Sequence, residues 1–87
     1  MKQYKTIKTL NNAIDKWFFD EILIKKFNYK DNIDDEEKIK KFMKTKKINL
    51  SLEKNESKQT ENYIIYHKNK RKYSIFVNYK NLTLEEE

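Results

Sequence analysis

The chain has 87 residues, 20 of them Lys or Arg and 14 Asp or Glu, for a formal net charge of +6, and it contains no cysteine, glycine or proline. That length gives room for one small domain, burying about 60–65% of its unfolded surface, with a stability of about 4–13 kcal/mol. Without cysteine there are no disulfides, thiolate metal centres or thiol nucleophiles.

The first predicted element is a helix over about residues 9–29, capped by Asn11 or Asn12. Leu10, Ala13, Ile14, Trp17 and Ile24 fall on one side of an α-helical wheel, while Phe18, Phe19, Ile22 and Leu23 fall elsewhere. A helix apolar nearly all round is packed from two directions or covered by a partner. Trp17, Phe18 and Phe19 are therefore a candidate interface, or a seam between two copies of the chain, as well as candidate core. The residues ahead of it, Gln3 to Lys8, read as a short edge strand or a frayed first turn.

A second helix is predicted over about residues 34–46. Asp34 and Glu37 have capping-box spacing, and Lys44, Lys46 and Lys47 stand at the end where the macrodipole favours cations. Asp34–Lys38, Glu36–Lys40 and Glu37–Lys41 are candidate i,i+4 ion pairs. Ile39, Phe42 and Met43 form a narrow inward stripe, leaving Lys40, Lys44 and Lys47 on the outside as a further candidate interface. An anionic membrane is a weaker match, because the stripe is thin and acids lie beside it. In the connection between the helices, Asn28 and Asn32 are the residues best suited to left-handed turns.

From Ile48 the hydrophobic period changes to two, and strands are expected over about residues 47–53, 60–67 and 72–80. Leu82 and Leu84 offer a short fourth strand. Tyr73, Ile75, Val77 and Tyr79 share one face of the third strand. For the second, either Tyr63 and Ile65 or Ile64 and Tyr66 face the core, since one step of register exchanges them. The expected fold is α+β, a single domain with two N-terminal helices packed on one face of a three- or four-stranded antiparallel sheet.

Between the last two strands lies His67-Lys68-Asn69-Lys70-Arg71-Lys72, read as a hairpin tip with four cations and no acid. Lys68, Lys70, Arg71 and Lys72 suit phosphates, and Tyr63, Tyr66, Tyr73 or Tyr79 suit unpaired bases, Tyr66 and Tyr73 standing nearest the tip. Lysines at hairpin ends also keep sheets soluble and block edge pairing. The charge itself needs discounting. Lys, Asn, Ile, Tyr and Phe make up 50 of the 87 residues, and lysines outnumber arginine 19 to 1. All five residues have AT-rich codons, so part of the lysine excess is coding bias. Dedicated phosphate and base readers also favour Arg for its bidentate fork.

No catalytic set is assembled. His67 is the single histidine and has no carboxylate partner in sequence; Asp34 to Glu37, the one acid cluster, suits a helix start better than a metal. No cofactor or metal is expected. The expected role is non-enzymatic binding by a phage or mobile-element accessory factor. Such a protein would inhibit a host protein or ribonucleoprotein by occlusion, as an anti-CRISPR-like or anti-restriction antagonist. The alternative is direct RNA or DNA binding through the basic hairpin. No apolar stretch reaches the ~18 residues of a membrane span. Met1-Lys2-Gln3-Tyr4-Lys5 lacks a signal-peptide core, so the expected location is the cytoplasm of a low-GC bacterial host.

Overall fold

The computed structural model describes residues Met1–Glu87. Strand β1 (Lys2–Gln3) leads into helix α1 (Ile7–Lys16), which continues without a break as a π-helix (Trp17–Lys26). Helix α2 (Glu36–Lys46) follows, then strands β2 (Ile48–Asn55), β3 (Thr60–His67), β4 (Lys70–Asn78) and β5 (Thr83–Glu86). The sheet has five strands in the order β1-β5-β4-β3-β2, every pair antiparallel. β1 and β2 thus occupy opposite edges, and the helices between them are the crossover from one edge to the other. That crossover covers one face. The α+β class and one-sided helix layer stand as expected, with five strands in place of three or four.

The helix boundaries follow from their caps. Thr6, not Asn11 or Asn12, starts α1: its Oγ1 accepts from Thr9 N at 3.1 Å, and Thr9 Oγ1 accepts from Thr6 N at 3.2 Å. Asp35, not Asp34, caps α2, accepting from Lys38 N at 3.2 Å. Asp34 N instead donates to Asn32 Oδ1, which closes the preceding turn. The i,i+4 pairs expected on α2 do not form. Lys38 reaches back to Asp31 at 3.2 Å, and the i,i+4 pair that does form is Glu21–Lys25, at 3.0 Å.

The π-helix accounts for the apolar residues that an α-helical wheel scattered. Its hydrogen bonds close at i→i+5, a rare geometry usually confined to single turns. Residues five apart therefore align: Trp17, Ile22 and Phe27 form one row, Phe18 and Leu23 another. The first row enters the main core with Leu10, Ile14, Ile48, Ile65, Ile75, Val77 and Leu84. The second enters a smaller core against α2, where Leu23, Tyr29 and Ile39 are buried with Phe18, Phe19, Phe42 and Met43 around them. The Phe18–Phe19 and Tyr29–Phe42 rings meet edge to face at 5.1 and 4.9 Å. The helix is packed from two directions. Trp17, offered by the sequence as a possible interface anchor, is only 6% exposed because its row faces the sheet.

Register settles which strand face is covered. Tyr63 and Ile65 point toward the helices with Tyr73, Ile75, Val77 and Tyr79. Ile64 is equally inaccessible but belongs to the opposite face, between Ser51 and Ser74. In a chain without glycine, six other residues take left-handed backbone: Asn28, Lys47, Gln59, Lys68, Asn69 and Leu82. Lys47 does so as the C-cap of α2, at φ 59°. No helix is long and apolar enough to cross a membrane.

Candidate polyanion-binding end

The hairpin tip is tighter than its sequence suggests. His67 pairs with Lys70, and only Lys68 and Asn69 lie between, both left-handed at φ 53° and 67°. That is the backbone of a two-residue type I′ turn, whose twist matches that of the flanking strands. β4 therefore begins at Lys70, not Lys72. The pairing then slips between Ile65 and Tyr66, which face Tyr73 and Arg71, so Lys72 is the extra residue of a bulge. The four cations of the tip are strand and bulge residues apart from Lys68, and they do not share one loop.

This splits the predicted group. Arg71 lies with Tyr66 on the sheet face away from the helices. Its Nη2 donates to Ser74 Oγ at 3.1 Å and stands 3.8 Å from Glu87 Oε1, while Ser74 Oγ donates to the same carboxylate at 3.2 Å. Asn62 Nδ2 also donates to it, at 3.4 Å. The one arginine is thus engaged in fixing the C-terminal residue. Tyr73 lies on the helix-facing side, with Lys26 Nζ 5.5 Å from its ring centre and the Phe27 ring edge-to-face at 6.3 Å. Tyr66 and Tyr73 cannot form one stacking platform, being on opposite faces.

The fold assembles a different basic group at this end. Lys68 N donates to the Lys47 carbonyl at 2.9 Å, so the hairpin turn is tied to the C-terminus of α2. The ring of Phe27, at the end of the π-helix, packs against His67 at 5.0 Å, which brings Lys26 to the same place. His67 is half-buried under that ring. Lys26, Lys47, Lys68 and Lys70 are all exposed, and none has a carboxylate oxygen within 4.0 Å. By contrast Lys25, Lys38, Lys54 and Arg71 are each paired with an acid. Lys44 and Lys40 continue the positive surface back along the exposed side of α2. Lys26 was not singled out by sequence reading. Its signal was the Lys25-Lys26 pair closing a helix, a placement that the helix dipole alone already accounts for.

A second polar cluster lies at the other end of the same strands. The Glu61 carboxylate, only 13% exposed, accepts from Tyr63 Oη at 3.0 Å and pairs with Lys54 Nζ at 3.7 Å. Burial, then hydrogen bonding to Glu61 and Tyr63, pushes the Tyr79 phenol far above its ordinary value. Burial is also the main cause that raises Tyr63. Here the phenols gather over the Glu61 carboxylate, with the Asp15 charge also close enough to raise Tyr63. In the loop before α2, the Asn32 backbone N–H and then Lys38 hold the Asp31 carboxyl below its ordinary value. No group of three His, Asp or Glu side chains converges as a metal site.

Comparison with protein-family models, curated proteins and solved structures found no match to this chain.

Proposed function

We propose that the protein is a non-enzymatic binding protein whose basic end holds the phosphates of a nucleic-acid backbone. The observation that carries this reading is the convergence of Lys26, Lys47, Lys68 and Lys70 from three separate chain segments, with no acid paired to any of them. Lysine is a compact point charge without the planar fork that reads bases. The single arginine is tied to Glu87, and Tyr73 is flanked by Lys26 and Phe27. Such a surface favours phosphate tracking over base readout, so binding is expected to be insensitive to sequence and steeply dependent on salt.

The biological role we attach to this surface is occlusion: a mobile-element product that covers nucleic acid carried by a host ribonucleoprotein. Its basic balance suits that role and not mimicry of DNA, which requires an acidic face. The AT-rich composition supports the source, a phage or other mobile element of a low-GC host. Anisotropy of labelled RNA and DNA tests the binding. A pull-down from such a host, with its defence complexes present, tests the antagonist role. Nucleic-acid binding with no stoichiometric protein partner would favour a plain nucleic-acid-binding regulator instead.

A further inference from the structure

The two edges of the sheet are built differently. β1 closes one with two residues, too short to template another chain. β2 leaves the other open over eight residues. Its register with β3 runs from Ile48–His67 to Asn55–Thr60 without a bulge. The segment Ile48 to Leu52 carries no charge, and Lys54, the only lysine of the strand, is held by Glu61 at 3.7 Å. Proteins protect long edges with charge, proline, bulges or a covering element. The centre of β2 has none of these. On its helix-facing side Leu50 and Leu52, cross-strand from Ile65 and Tyr63, remain 41% and 42% exposed.

We propose that β2 pairs antiparallel with β2 of a second copy of this chain, about a two-fold axis through Ser51, joining two five-stranded sheets into one. The strand is self-complementary in that register. Leu50 faces Leu52 of the second copy and Leu52 faces its Leu50, so four exposed leucines cover one another between the two helix layers. Asn49 faces Glu53, Ile48 faces Lys54, and no like charges stand opposite each other. Seven residues of each strand pair. Centring on Leu50 instead would pair only five, because the chain leaves the strand at left-handed Lys47, and would press Leu52 against the already buried Ile48. Centring on Leu52 would also pair seven residues, but it would match Leu52 only with itself and leave each Leu50 opposite Lys54 instead of a leucine. Antiparallel pairing also separates the two basic ends by about the length of the strand, ~25 Å, which exceeds the screening length of ~8–10 Å at ordinary salt.

The test is sedimentation of the full chain up to about 1 mM, the weak end of measurable association, beside two single-cysteine variants. The chain has no cysteine of its own. Across the proposed axis the two Ser51 Cα atoms lie about 4.5–5.5 Å apart, within disulfide reach. The two Asn49 positions lie about 13 Å apart, beyond it. We expect a reversible dimer that Leu50→Lys with Leu52→Lys abolishes while the thermal melt is kept. Mild oxidation should link Ser51→Cys and leave Asn49→Cys monomeric. A chain monomeric at every concentration would overturn the proposal, whether or not a strand of another protein occupies the edge. Equal crosslinking of both cysteine variants would overturn it as well.

Discussion

Single side chains here gain their meaning from what holds them. Arg71 is the most nucleic-acid-like residue of the sequence, yet in the fold it braces Glu87 through Ser74. Tyr63 and Tyr79 alternate along strands as base-stacking residues would, but their hydroxyls lie at a shielded carboxylate. A phenol whose folded pKa is raised contributes stability that is complete below about pH 10, its ordinary value, and that is lost as pH rises above it. Thermal melts between neutral pH and pH ~11 should fall more steeply for the native chain than for Tyr79→Phe. Parallel slopes for the two would show that Tyr79 ionises as freely folded as unfolded. None of this was readable from the chain, because a tyrosine's neighbours across a sheet depend on register and the sequence left register open.

Among the elements, the α-helical period placed Ile24 with Leu10, Ile14 and Trp17 and left Ile22 aside. The fold reverses this: Ile22 is 1% exposed and Ile24 is 39% exposed. The spacing of five between Trp17, Ile22 and Phe27 was present in the sequence, but an i→i+5 helix of ten residues is rare enough that a period of 3.6 is the default reading. Ile22→Ala should cost about 2–5 kcal/mol in denaturant unfolding, and Ile24→Ala about 1 kcal/mol or less. The opposite order would mean that the segment is an ordinary α-helix. The caps give a parallel case. Asp35→Ala should cost about 0.5–2 kcal/mol and Asp34→Ala much less, since only Asp35 accepts the helix N–H. Equal losses would return the cap to the Asp34 of the sequence pattern. Sequence placed α2 and the β2–β4 meander within a few residues because their periods are regular. It missed β1 as a definite strand, since two residues carry no period at all. It began β4 late because lysines next to a turn read as loop, and the chain turns without glycine on Lys68 and Asn69.

At the scale of the whole molecule, the helical crossover explains both the core and the surface. Running from β1 at one sheet edge to β2 at the other, it lays the π-helix over the sheet and ends both long helical segments beside the β3–β4 turn. The sequence displayed the hairpin's share of the basic end but not the shares of Lys26 and Lys47, which lie 42 and 21 residues from Lys68 in the chain. Long-range closure of that kind leaves no local pattern. The decisive measurement is the salt dependence of labelled-duplex binding by anisotropy, between about 50 and 200 mM, for the native chain and for the variant with Lys26, Lys47, Lys68 and Lys70 all changed to Gln. Four phosphate contacts predict a log–log slope of about −3.6 and a loss of roughly 10² in affinity across that range. The variant should lose most of the slope while keeping its melting temperature, and Arg71→Gln should lose little of it. Absence of binding at the lowest salt, or an unchanged slope in the quadruple variant, would contradict the account and return these lysines to solubility and coding bias.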